Sequence, residues 1–177
     1  DDFKGGQLAA NYFISHGHRS VAFIGPTMKY NGVIRHRFDG FASVLRVNGM
    51  EVRSEHIFEI KSDVRQEAII ALGKHIASMK KEFSAIFITS DQIASYVVQG
   101  LVSEGVSVPD EMSVIGFDNL EICRQISPQL TTIAQDLNQK AFFAVSTLFQ
   151  RLSSPSLPAQ SMVLDVELVE RASVVQK

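Results

Sequence analysis

The sequence lacks several features that define common protein classes. Its single cysteine, Cys123, cannot form a disulfide within the chain, which fits a reducing cytoplasm. No apolar stretch approaches the ~20 residues that a membrane-spanning helix needs. The 17 Lys and Arg residues nearly balance 19 Asp and Glu residues, for a net charge of −2. A free-standing nucleic-acid binder normally carries a basic patch, so this balance argues against that class.

The sequence also lacks the motifs of common enzyme and metal sites. It has no glycine-rich phosphate loop and no GxSxG nucleophile motif. His16 and His18 flank Gly17 without further His or Cys at a ligand spacing, and Cys123 has no His-based arrangement beside it. The sequence therefore predicts no metal, no cofactor and no catalytic residues. A small α/β enzyme that uses Asp91 and Asp118 stays open as an alternative.

The pattern of apolar residues predicts an α/β fold. With 177 residues, 45% of them hydrophobic, the chain can form one domain or one domain with part of another. Asp1 and Asp2 can cap a first helix that Gly17 ends. Further helices are predicted at 35–48, 64–79, 93–104 and 137–152, and strands at 20–24, 57–60, 85–88, 113–117, 130–134 and 162–169. Helices that alternate with buried strands predict a doubly wound parallel sheet.

The predicted helix 137–152 is apolar on nearly all sides. It carries Phe142, Phe143 and Phe149 among many aliphatic residues, and such a helix needs cover on more than one face. Leaving the three Phe side chains exposed would forgo roughly 2 kcal/mol of burial for each. Two interpretations remain at this point: the sheet of the same domain covers the helix, or its packing surface lies outside the chain.

Two aspartates follow buried strands. Asp91 comes after AIFITS and Asp118 after SVIGF, and the carboxyl ends of parallel strands are where ligands bind in open α/β sheets. Asp91 precedes a helix, so we expect it to act as a structural cap, with the Ser90 hydroxyl left to face a ligand. Asp118 has no strong helix behind it, so it is either the acid of a local turn or a ligand contact.

Two arginines stand at the start of the second helix. A cation in the first turn opposes the helix dipole, so the position of Arg35 and Arg37 suggests a use other than helix stability. A guanidinium there can hold hydroxyl groups or a carboxylate through paired hydrogen bonds. Arg35 and Arg37 are therefore candidate binding residues.

Six segments resemble successive signatures of the LacI/GalR family of transcriptional regulators. They occur in family order along nearly the whole chain: GHRSVAFI at 17–24, RFDGF at 37–41, TSDQIA at 89–94, VPDEMSVIGFDN at 108–119, SPQLTTI at 127–133 and LVERASV at 168–174. The resemblance implies a periplasmic-binding-protein-like core of type I, with two lobes that close on a small sugar-like effector. It implies a cytoplasmic homodimer that binds operator DNA through an N-terminal helix-turn-helix. A periplasmic solute-binding protein of the same fold is the first alternative.

The resemblance also implies roles for particular residues. It places the cleft arginine at Arg37 and the effector-binding acid at Asp118. Ser90 stands where many members have an effector-contacting Asn, and Gln135 lies near the strand that crosses between the lobes. Many members place an aromatic ring near positions 62 and 63, where this chain has Ser62 and Asp63.

The resemblance implies a division of the chain as well. Residues 1–135 correspond to the second lobe, 136–158 to a helix of the first lobe, and 159–177 to the return strand and tail of the second lobe. The helix-turn-helix and most of the first lobe are then expected to lie outside these residues.

Overall fold

The computed structural model describes residues 1–28, 32–61 and 63–177. Within them the chain alternates helices and strands, as the apolar pattern predicts. The helices are α1 (Asp2–Ser15), α2 (Val33–Val47), α3 (Gln66–Ala77), α4 (Asp91–Ser103), α5 (Ile122–Gln125) and α6 (Leu137–Ser153). The strands are β1 (Val21–Pro26), β2 (Ile57–Ile60), β3 (Ala85–Ile88), β4 (Ser113–Asp118), β5 (Thr131–Gln135) and β6 (Val166–Val169).

The six strands form one sheet in the order β2-β1-β3-β4-β5-β6. The first five strands are parallel, which confirms the predicted doubly wound sheet. The last strand differs, because β6 begins only at Val166 and runs antiparallel to β5. Val166, the first residue of β6, pairs with Gln135, the last residue of β5. The chain therefore leaves and re-enters the sheet at the same edge.

Helices cover both faces of the sheet, and each face has its own core. On the side of α1 and α2 the core is rich in aromatic residues, including Phe13, Phe23, Phe41, Phe87 and Phe117, all at most 1% exposed. On the side of α3 and α4 the core is mainly aliphatic. Strands buried on both faces read as continuous apolar runs, which is why the sequence revealed them.

The ends of most helices lie within a few residues of the prediction. Asp1 caps α1 by accepting a hydrogen bond from the Lys4 N–H at 2.9 Å, and Gly17 follows the helix with a φ of 82°. A left-handed residue after a helix favours glycine, so this end is readable in the sequence. Helix α5, only four residues long, was not predicted.

Among the helices and strands of the described residues, α6 is the one without a buried residue. Several of its apolar side chains are more than half exposed, among them Phe142 at 66% and Phe149 at 64%. Of the two interpretations of this helix, the structure does not support cover by its own sheet. None of the described helices is long and apolar enough to cross a membrane.

Candidate functional site

The carboxyl ends of the parallel strands bring three of the predicted site residues together. Asp118 ends β4, Gln135 ends β5, and Arg37 reaches the same edge from the second turn of α2. The Arg37 Nη2 atom lies 3.9 Å from the Asp118 Oδ1 atom, and the Gln135 Nε2 atom donates to that same oxygen at 2.6 Å. The structure therefore brings Arg37, Asp118 and Gln135 together, and effector binding by them stays a prediction.

Arg37 is buried and held from three sides. Its Nε atom donates to Asp2 Oδ1 at 2.8 Å, and its Nη1 atom donates to the Thr89 carbonyl at 2.6 Å. The guanidinium carbon lies 3.5 Å from the centre of the Phe117 ring, a cation–π contact. Among the described residues these hydrogen bonds use two of the five N–H groups of the guanidinium. The rest can donate to Asp118 or to a ligand.

Asp118 combines burial with a neighbouring positive charge. Burial raises the pKa of its carboxyl group, and the Arg37 guanidinium and the Gln135 amide oppose that rise. Asp118 also has a φ of 109°, in the left-handed region that non-glycine residues rarely adopt. Lys140, at the start of α6, adds a cation whose Nζ atom lies 3.4 Å from the Gln135 Oε1 atom. The cluster thus presents donors and acceptors beside one another.

The prediction that Asp91 caps the helix that follows it was wrong. Ser90 is the N-cap residue of α4, and its side chain makes no capping hydrogen bond. The Asp91 carboxylate instead accepts from the Leu120 N–H at 2.8 Å and from the Thr132 hydroxyl at 2.6 Å. The Asp91 side chain therefore points across the sheet edge and links the segment after β4 to strand β5.

Ser90 and Arg35 lie near the cluster without joining it through a hydrogen bond. Ser90 is half-buried and directly follows Thr89, whose carbonyl binds Arg37. Arg35 is exposed and pairs with Asp39 one turn along α2, at 2.9 Å from Nε to Oδ1. Effector binding by these two residues stays a prediction. Ser62, where many LacI-type proteins have an aromatic ring nearby, lies outside the described residues.

Sequence reasoning missed three partners of the cluster. Asp2 was interpreted as a cap candidate, but its carboxylate binds Arg37. Lys140 and the ring of Phe117 were not considered. The contacts of Arg37 with Asp2 and with the Phe117 ring join segments far apart in the sequence, so no local pattern could reveal them. Within the described part of the chain, no group of three or more His, Cys, Asp or Glu residues could hold a metal ion.

Comparison with known proteins shows which family and which relatives the chain matches. The family described as "Periplasmic binding protein-like domain" matches residues 10–174. The HTH-type transcriptional repressor PurR of Glaesserella parasuis is 34% identical over 176 residues, covering 96% of this chain and 51% of that protein. The chain thus spans about half the length of the curated relatives it matches.

Two solved structures are similar over the full length of the chain. A LacI family transcriptional regulator from Enterococcus faecalis, with bound ribose, is 31% identical with a TM-score of 0.85; the match covers 100% of this chain and 62% of that one. A LacI family regulator from Enterococcus faecium, also with bound ribose, is 26% identical with a TM-score of 0.87; it covers 100% of this chain and 64% of that one.

Proposed function

Because the chain belongs to the family of periplasmic binding protein-like domains, in the form found in LacI-type regulators, we propose that it senses an effector for a transcriptional repressor. The resemblance seen in the sequence is confirmed by these matches. The relatives are named as transcriptional repressors, which are not enzymes, so the alternative of a small α/β enzyme is set aside. The same names favour a regulator over a periplasmic solute-binding protein and support a cytoplasmic location.

The contact between Arg37 and Asp118 carries the proposal. A guanidinium that donates and a carboxylate that accepts lie within 3.9 Å of each other at the strand ends. A hydroxyl group can accept from the first and donate to the second, so neighbouring hydroxyls match the pair. We therefore propose a sugar or a related polyhydroxyl metabolite as the effector. The ribose bound to two similar regulators supports this class of ligand.

A thermal-shift screen of the full regulator, which has both lobes, tests the proposed ligand class. The panel contains ribose, other pentoses, hexoses and nucleosides, and a bound ligand raises the melting temperature by mass action. We expect a sugar to raise it, and we expect Arg37→Ala and Asp118→Asn each to weaken that ligand's affinity by about tenfold or more, because hydrogen bonds to charged groups contribute about 1.5–3 kcal/mol. Arg46→Ala, an exposed arginine in the last turn of the same helix, is the matched control.

The outcomes of this screen separate the possibilities. If no compound raises the melting temperature, or if Arg37→Ala binds as tightly as the parent, the proposed site is wrong. If only nucleosides bind, the site is retained and the sugar class is abandoned. Arg35→Ala tests the separate prediction for Arg35, whose guanidinium pairs with Asp39 on its own helix.

We further propose that the effector acts by shifting populations in a homodimer. An effector that binds one arrangement of the two lobes more tightly favours that arrangement, and the dimer passes the change to a helix-turn-helix that binds operator DNA. The PurR relatives are HTH-type transcriptional repressors, which supports this role. If the fraction of operator DNA that the full regulator binds does not change with effector concentration, this proposed mechanism is wrong.

The exposed helix α6 supports the proposed division into lobes. Residues 1–135 and 159–177 contribute the sheet and its covering helices, whereas α6, within 136–158, has no buried residue. An apolar helix without cover on its own sheet fits a role as part of a first lobe. We therefore assign residues 136–158 to that lobe, and the rest of the chain to the second lobe.

A further inference from the structure

The turn that carries Asp118 has an unusual backbone. Asp118 and Asn119 are consecutive residues with positive φ, 109° and 54°, and neither is glycine. Such conformations persist only when the surrounding structure over-determines them. The orientation of the Asp118 carboxylate toward Arg37 therefore depends on contacts made by its neighbours.

The Asp91 carboxylate contacts this turn on both sides. Its Oδ2 atom accepts from the N–H of Leu120, the residue directly after the two with positive φ, at 2.8 Å. Its Oδ1 atom accepts from the Thr132 hydroxyl at 2.6 Å, and the Thr132 hydroxyl oxygen accepts from the Asn119 N–H at 3.4 Å. The Asp91 side chain thus reaches the backbone of both Asn119 and Leu120, directly or through one hydroxyl group.

The rest of the surroundings fit a carboxylate held in one place. Asp91 is fully buried, and no cationic side chain among the described residues lies within ion-pairing distance of it. A Cβ atom built on Gly116 would lie 2.2 Å from Asp91 Oδ1, so β4 has room for this carboxylate because that position is glycine. Burial raises the pKa of the Asp91 carboxyl group, and the Thr132 hydroxyl, the Leu120 N–H and the Cys123 thiol oppose that rise. An apolar side chain could fill this position and would need no hydrogen-bond donors around it, so packing alone does not explain a carboxyl group here.

We propose that Asp91 is a positioning residue for the effector site, which fixes the turn at Asp118 and Asn119 so that Asp118 meets Arg37 and Gln135. The proposal rests on the proposed function, because that function makes Arg37 and Asp118 effector-binding residues. Asp91 does not touch the effector. It acts through the Leu120 N–H and the Thr132 hydroxyl, which are its two closest described contacts at the sheet edge.

Amide hydrogen exchange in the protein without any ligand tests this assignment. Asp91→Ala removes both acceptors, so we expect the Leu120 amide to exchange about tenfold faster or more relative to amides of the β1–β3 ladder. Asp91→Asn keeps one acceptor oxygen and should give a smaller acceleration. The side-chain amide resonance of Gln135 should shift in both variants, since its donor lies 2.6 Å from Asp118 Oδ1.

The control lies one turn along the same helix. Ser95→Ala also removes a hydroxyl hydrogen bond from α4, that of Ser95 Oγ to the Gln92 carbonyl, but leaves the turn untouched. It should leave the Leu120 and Gln135 signals unchanged. Should Asp91→Ala fail to fold, Thr132→Val removes only the hydroxyl and should speed exchange at Asn119.

Each result decides the matter. The positioning role is wrong if, in Asp91→Ala, the Leu120 amide exchanges at the wild-type rate and the Gln135 side-chain amide does not shift. It is also wrong if Thr132→Val leaves exchange at the Asn119 amide unaltered. None of these readouts needs an effector. A failure of the sugar screen would therefore count against the proposed function and leave the role of Asp91 to be judged by exchange alone.

Discussion

His18 is a buried titratable side chain on the face of the sheet covered by α1. It is 1% exposed, its Nδ1 atom lies 2.8 Å from the Ser84 hydroxyl oxygen, and its ring packs edge-on against Phe13. Burial is the main cause that lowers the pKa of His18 to about 4, and the positive charge of Lys177 adds to it. The neutral ring is therefore the form that the folded protein holds at neutral pH.

This lowered pKa predicts a loss of stability in mild acid. The unfolded chain takes up a proton on His18 near pH 6.5, whereas the folded chain does so only near pH 4, so the contribution is complete above about pH 6.5 and is lost as the pH falls toward 4. Between pH 7.5 and pH 5 the free energy of unfolding should fall by about 2 kcal/mol from this group. Urea unfolding at the two pH values measures it.

His18→Asn isolates the effect, because Asn can keep a hydrogen bond to Ser84 but does not titrate in this range. The difference in unfolding free energy between pH 7.5 and pH 5 should shrink by about the amount that His18 contributes. His75→Asn, on the exposed face of α3, is the control that should retain the parent's pH dependence. An unchanged pH dependence in His18→Asn would refute the assignment.

At the scale of residues, the sequence predicted what lies near strand ends and missed what depends on distant contacts. Asp118 was found because it ends a buried strand, and Arg37 because a cation at the start of a helix opposes the helix dipole. Asp91 was found as well, but its partners, Leu120 and Thr132, are 29 and 41 residues away. Local pattern cannot choose between a cap and a long-range bond, so its role was misassigned.

Helices α1 and α2 approach each other through two glycines. A Cβ atom on Gly6 would lie 2.0 Å from the Arg37 carbonyl oxygen, and one on Gly40 would lie 1.9 Å from the Phe3 carbonyl oxygen. These distances are far shorter than any real Cβ contact, so the two backbones touch at this crossing. Arg37 is on the contacting turn of α2. The glycines therefore help to set where its guanidinium lies.

Gly40→Ala should separate the two helices and disturb the site at the same time. The added methyl group meets backbone, which cannot rotate away, so we expect a loss of about 2 kcal/mol or more in unfolding free energy. The Arg37–Asp118 contact should lengthen, and the thermal shift caused by any sugar that binds the parent should decrease. Thermal unfolding with and without that sugar measures both.

Gly73→Ala is the matched control for this crossing. Its Cβ atom would lie 2.4 Å from the Val97 carbonyl oxygen, so it should separate α3 from α4 on the other face of the sheet. We expect a comparable loss of stability but an unchanged ligand-induced shift at a temperature where the variant is folded. A Gly40→Ala protein as stable as the parent would contradict the close approach.

At the scale of elements, apolar periodicity located helices and strands because each long element buries one face or both. Helix α5 has four residues, too few to show a period, so it was missed. The direction of β6 was also unreadable, since the pattern of a four-residue strand is the same in either direction. The glycine crossings depend on which helices become neighbours, and that is a property of the topology.

The whole molecule consists of a packed sheet with its helices and one exposed helix. Every other helix of the described chain contributes buried residues, whereas α6 contributes none. The apolar pattern of α6 left two interpretations open, and only the family resemblance favoured a separate lobe. The pattern alone could not say which surface covers the helix, since that requires knowing the partner.

This separation predicts that α6 contributes little to the stability of the sheet. In residues 1–177 by themselves, Phe142→Ser combined with Phe149→Ser should change the unfolding free energy measured by circular dichroism in urea by less than about 1 kcal/mol, because exposed side chains lose little burial. Phe87→Ala, at a fully buried position of β3, should lose about 3–5 kcal/mol in the same assay. If the double variant loses as much as Phe87→Ala, α6 packs on its own sheet, and the assignment of residues 136–158 to a separate lobe is wrong.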